Sequence, residues 1–107
     1  MKILFSGAAL LAIGMILASA TQSDARTIRT QSAVYFAGDR SCSYTRRVVR
    51  GCDGKQSCNF ACSNWHTCGD PAKGVTKKCL ITYKCSGRKK LRYGRSNEGG
   101  TTRLRCP

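Results

Sequence analysis

CLITYKC, residues 79–85, is the stretch on which the fold turns. In an extended chain Cys79, Ile81, Tyr83 and Cys85 fall on one side and Leu80, Thr82 and Lys84 on the other. That period of two predicts a strand with one face in a core. A cysteine at each end of the inward face implies that the core is covalently tied. Further upstream, SAVYF (32–36) is a second short run of strand formers, and AGDRS (37–41) reads as a turn. SYTRRVVRG (43–51) has too little apolar content for periodicity to choose between helix and strand. Downstream of Cys85, SGRKKLRYGRSNEGGTTRLRCP is basic and poor in apolar residues, and is expected to be an extended tail pinned by Cys106.

The chain opens MKILFSGAALLAIGMILASA: a positive Lys2, an apolar run, then small residues ending at Ala20. This pattern predicts a secretory signal cleaved after Ala20 and a secreted or periplasmic mature protein. The expected organisation is a signal at 1–20, a flexible lead-in at 21–32, one domain at 33–86 and a basic tail at 87–107. A mature chain this short buries about 60–65% of its unfolded surface, a thin margin against the entropy of ordering it. Eight cysteines, all beyond residue 20, therefore read as four bridges in an oxidising compartment. The expected fold class is α+β, a small disulfide-rich domain of short antiparallel strands with one or two short helices.

Charge is lopsided, with 19 Lys and Arg against 5 Asp and Glu and a net of +14. Loss of Lys2 with the signal leaves +13. Such a balance draws the protein to anionic partners without naming one. Nucleic acid is a poor partner for an exported chain, although the electrostatics alone would permit it.

CDGKQSCNFACSNWHTCGDP, residues 52–71, gathers four cysteines, the only tryptophan and the only histidine. Cys58, Cys62, His66 and Cys68 have the ligand types of a zinc site but lack paired C-x2-C knuckles, so no metal or cofactor is expected. His66 reads as a polar neighbour of Trp65. With a single histidine and the acids scattered as Asp24, Asp39, Asp53, Asp70 and Glu98, no acid/base pair stands out, and no catalysis is expected.

CDGKQSC (52–58), SN (63–64), GDP (69–71) and GVTKKCLITYKC (74–85) together resemble the galactose- and rhamnose-binding lectin domain first recognised in sea-urchin egg lectin (SUEL-type). That family carries C-x-G-K-x-x-C, A-S-N, F-G-D-P-C-x-G-T-x-K-Y-L and a closing V-x-Y-x-C, and AVYF (33–36) resembles the start of its A-x-Y-G-R. Here Phe36 and Ala37 replace the Gly-Arg, Cys68 stands before GDP, Ala72 after it, and Cys79 replaces the leucine of K-Y-L. The likeness implies a rewired disulfide set: Cys42–Cys52, Cys58–Cys68, Cys62–Cys79 and Cys85–Cys106.

What the resemblance implies for function is a shallow sugar pocket formed by Tyr35, Asn64, Gly69, Asp70, Gly74 and Lys77. Asp70 would accept from sugar hydroxyls, Lys77 and Asn64 would donate, and Tyr35 or Trp65 would cover an apolar sugar face. The family's acidic residue upstream of the first strand has no counterpart. The expected partner is a galactose- or rhamnose-like sugar or an anionic glycan. The alternative is a cationic, disulfide-stapled protein that binds anionic surfaces, with antimicrobial or inhibitory effect. Tyr93-Gly94-Arg95 copies the lectin tripeptide at the wrong place in the chain and is read as chance.

Overall fold

The computed structural model describes residues 25–107. The expected signal, and the lead-in as far as residue 24, lie outside them. The element order is β1 (Ile28–Ala37), β2 (Arg40–Ser43), α1 (Thr45–Cys52), β3 (Ser57–Ala61), β4 (Lys78–Cys85), β5 (Arg92–Asn97) and β6 (Thr101–Arg105). A four-stranded antiparallel sheet runs β2-β1-β4-β5, and β3 pairs with β6 in a two-stranded sheet. The class is the expected small disulfide-rich α+β domain, with one short helix.

β4 is central because its alternation is as clean as the sequence suggests: Cys79, Ile81, Tyr83 and Cys85 are all buried. Its register against β1 sets Tyr35 opposite Cys79 and Ala33 opposite Ile81, so the inner face of the sheet is continuous across both strands. α1 and the small sheet cover this face, contributing Val48, Cys52 and Leu104 to one core. Val48 and Cys52 are four residues apart, one above the other on the buried side of α1, which settles the ambiguous SYTRRVVRG as helix.

Two expectations about the ends are corrected. β1 begins at Ile28, inside the expected lead-in, because Ile28 is fully buried and is held by backbone bonds to Lys55 and Gly54. A bulge interrupts β1 between Thr30 and Ser32, and the Thr30 N–H donates instead to Asp53 Oδ1 at 2.9 Å. The basic tail is not a loose extension, for it supplies β5 and β6. Thr102, Leu104 and Cys106 alternate inward, and Gly94 lets β6 approach β5 closely.

All eight cysteines are bridged. Cys62–Cys79 and Cys85–Cys106 pair as expected and fasten the two ends of β4 to the chain flanking the small sheet. The other two expected bridges are overturned, since the pairs are Cys42–Cys68 and Cys52–Cys58. The reason is the helix. Cys42 precedes α1 and Cys52 closes it, and eight helical residues at 1.5 Å each set the two about 12 Å or more apart, beyond the reach of a disulfide. Cys52 instead meets Cys58 across the tight turn into β3, with Cα atoms 5.5 Å apart.

Candidate functional site

Residues 62–79 leave β3, cross the end of the large sheet and return as β4. Within this excursion Asn64, Asp70, Gly74 and Lys77 line one open cleft of about 510 Å3, together with Glu98 from the β5–β6 turn. Four of the six expected site residues are thus brought together. Gly69 is adjacent in sequence but lines a different cleft, and Tyr35 lies beneath the surface.

Lys77 organises the site from below. It is 2% exposed, and its ammonium group donates to Asp70 Oδ1 at 2.7 Å and to the carbonyls of Ala72 and Val75, both at 2.8 Å. Lysine has three protons to donate, and these contacts use all of them. Lys77 therefore ties down the turn from Asp70 to Val75 and has no proton left for a ligand, in contrast to the donor role expected of it. The Asp70-Pro71 turn is closed further by the Ala72 N–H, which donates to Asp70 Oδ1 at 3.2 Å. Gly74, with a φ of +75°, completes the turn in a conformation that side-chain-bearing residues avoid.

Glu98 is held reciprocally: its N–H donates to the Lys77 carbonyl at 2.8 Å, and its Oε1 accepts from the Lys77 N–H at 2.9 Å. That same oxygen stands 3.6 Å from the Lys77 ammonium. Both carboxylates remain 29% exposed, and both contacts use a single oxygen of each. Each side chain thus keeps part of its surface open to the cleft that it lines, and Glu98 also lies close enough to the Tyr35 hydroxyl to interact with it.

Tyr35 acts through Asn64. Fully buried, it cannot cover a sugar face, but its hydroxyl donates to Asn64 Oδ1 at 2.7 Å. This occupies the amide oxygen and leaves the N–H2 group as a donor to the cleft that Asn64 lines. Trp65, the other expected platform, points elsewhere and does not line this cleft. The one large apolar side chain in the lining is Val75, which is 53% exposed.

The electrostatics follow from these contacts. The Lys77 hydrogen bond holds the Asp70 carboxyl below the usual carboxylate range, and the reciprocal bond lifts the Lys77 ammonium above its ordinary value despite burial. Burial, followed by the charge of Glu98, pushes the Tyr35 phenol up to about 12. Two carboxylates and one ammonium leave a net negative charge here, on a strongly basic protein. The cleft therefore favours a ligand that donates hydrogen bonds without carrying negative charge.

Glu98 is the site residue that sequence reading missed. The signal available was its place in SNEGG, a turn-like run between two short alternating segments, and it was masked by the basic composition around it. Cys58, Cys62 and Cys68 belong to three different bridges, and His66 is an exposed residue whose Nδ1 lies 2.7 Å from Ser63 Oγ. No family model matches the chain, and neither a curated protein nor a solved structure does.

Proposed function

We propose that this domain is an exported, non-catalytic carbohydrate-binding module of lectin type, recognising a neutral galactose- or rhamnose-like sugar in the cleft of Asp70, Glu98 and Asn64. The observation that carries the reading is the pair of acidic side chains held beside one buried ammonium. Neighbouring sugar hydroxyls donate to the Asp70 and Glu98 side chains and accept from Asn64, while Val75 offers a small apolar rest for the ring. Glu98 supplies the acidic group that the lectin family places upstream of its first strand, here delivered from the opposite end of the chain. Lys77 and Tyr35 are positioning residues. A single shallow site without an aromatic platform binds weakly, so useful avidity calls for several copies.

A second reading, adhesion to anionic surfaces, is favoured by the outer face of the large sheet. Strand register sets Arg29, Lys78, Lys84 and Arg95 on that face around Val34, Phe36 and Leu80, with no acidic side chain among them. Salt separates the two. A glycan array probed at low and at moderate ionic strength is expected to give saturable binding to a neutral sugar, competed by the free monosaccharide, abolished by Asp70→Ala and nearly indifferent to salt. Binding that vanishes at moderate salt and ignores Asp70→Ala supports the surface-adhesion reading instead.

A further inference from the structure

A second cleft, of about 770 Å3, shares no lining residue with the first. One wall comes from α1, where Arg46, Arg47 and Arg50 line it. Their spacing of three and four residues sets all three guanidinium groups on one helix face. Trp65 joins the lining from the loop after β3 and is 83% exposed, the most exposed large apolar side chain among the described residues. The Arg47 guanidinium donates to the Trp65 carbonyl at 3.4 Å, and the Cys42–Cys68 bridge holds the same loop to β2.

The charge on this helix is uncompensated. No acidic side chain lines the cleft, α1 has none in its first turn, and both salt bridges among the described residues belong to Lys77. Like charges stacked along one helix face destabilise the helix, and an indole left in water is unfavourable too. One ligand chemistry relieves both: an anionic group gripped by the planar guanidinium forks, carried on a ring with an apolar face for the indole. The hydroxyls of Ser43 and Thr45, 3.0 Å apart on the same lining, suit a polyhydroxylated ring.

We propose that this cleft binds an acidic saccharide, with Trp65 stacked on the pyranose and Arg46, Arg47 and Arg50 holding its sulfate or carboxylate. A membrane surface fits less well, because the site is concave and Trp65 is the one exposed large apolar residue in its lining. The assignment stands independently of the neutral-sugar cleft, with which it shares no residue.

Trp65 is the only tryptophan and reports directly. The oxidised chain is titrated with a sulfated disaccharide, an unsulfated uronic-acid disaccharide, a neutral disaccharide, inorganic sulfate, and vesicles of anionic phospholipid. The expected result is a saturable blue shift of Trp65 emission with one or both acidic disaccharides, which tells sulfate from carboxylate recognition, and none with the neutral one. By calorimetry, Trp65→Ala lowers affinity at least tenfold and Arg50→Gln three- to tenfold. Both positions are exposed, so near-UV circular dichroism confirms that each variant is folded, and Asp70→Ala leaves acidic-disaccharide affinity within twofold. The proposal is overturned if Trp65→Ala binds as well as the parent, if inorganic sulfate or the neutral disaccharide gives the same response, or if only the vesicles shift Trp65.

Discussion

Gly94 is the point at which the two sheets press hardest on each other, and Gly94→Ala tests that packing. A Cβ at this position would lie 2.7 Å from Leu104 Cδ2, 2.8 Å from Thr102 Cγ2 and 3.3 Å from the Arg103 carbonyl oxygen. Comfortable carbon–carbon contacts need about 3.5–4.0 Å, so two of the three are short by roughly 0.8 Å. Neither side chain has room to withdraw: Leu104 and Thr102 are buried, and the Thr102 hydroxyl is hydrogen-bonded to Ser96 at 2.6 Å. Overpacking of this kind costs about 1–3 kcal/mol. Taking about 2 kcal/mol, a domain of this size loses roughly 8–16 °C in melting temperature. Thermal unfolding followed by circular dichroism measures it, with the double variant Gly94→Ala/Thr102→Ser as the internal control. Deleting Thr102 Cγ2 removes one of the two clashes, so the double variant is expected to melt above Gly94→Ala alone. A Gly94→Ala protein that melts with the parent, or a Thr102→Ser change that only adds its own loss, refutes the packing argument. The same result bears on Tyr93-Gly94-Arg95. Tyr93 is 55% exposed with the Arg95 guanidinium 6.0 Å from its ring centre, and none of the three lines the Asp70 cleft.

Other consequences are equally direct. Tyr35→Phe removes the donor to Asn64 and is expected to cost about 1 kcal/mol, read by denaturant unfolding, together with a weaker affinity for neutral sugar on the array. Lys77→Met is expected to speed amide exchange at Ala72 and Val75 and to abolish neutral-sugar binding, although Lys77 touches no ligand; unchanged exchange contradicts its positioning role. Asp70 has a lowered folded pKa, so its contribution to stability is present above the ordinary value near 3.9 and lost as pH falls through the folded one. Lys77 has a raised folded pKa, so its contribution is present below about 10.4 and lost as pH rises through the folded value. Asp70→Asn should therefore flatten the acid side of a stability–pH curve. Peptide mapping under non-reducing conditions should find Cys42 with Cys68 and Cys52 with Cys58 once the chain is cut after Lys55.

What the sequence revealed and what it hid divide on physical lines. β4 was legible because one buried face alternates with one solvated face over seven residues, whereas the pairings of Cys62 with Cys79 and of Cys85 with Cys106 came only through the lectin likeness. Asp70, Asn64 and Gly74 were legible only as a pattern, and the cleft gathers them because the turn between them is tied to Lys77. Lys77 itself was read as a donor since sequence shows its charge and not its partners. β5 and β6 were hidden because, of their buried positions Gly94, Thr102 and Leu104, only Leu104 carries a hydropathy signal, too little to show an alternation. Glu98 was hidden with them, since a residue on a loose tail has no place at a site. The bridges of Cys42 and Cys52 were misread because the likeness says nothing of the rigid helix that stands between the two.

One segment carries both clefts, and the bridges explain how it can. Between Cys62 and Lys77 the chain has no helix or strand of its own, yet consecutive residues serve opposite sides: Asn64 and Asp70 line the acidic cleft, while their neighbours Trp65 and Gly69 line the arginine cleft. An unconstrained loop of this length would lose that alternation to conformational averaging, and ordering it on binding would consume much of the affinity of a shallow site. Here Cys62–Cys79 closes the segment at its base, Cys42–Cys68 pins its middle to β2, and the Lys77 ammonium ties its returning limb. Rigidity that larger proteins draw from a deep core comes in this small domain from two covalent ties shared by both clefts, with the buried ion pair ordering the neutral-sugar cleft alone. Severing Cys42–Cys68 with a double serine substitution is therefore expected to weaken both clefts together, although neither position lines the neutral-sugar cleft. If neutral-sugar and acidic-saccharide affinities instead change independently, the two clefts are not held by a common scaffold.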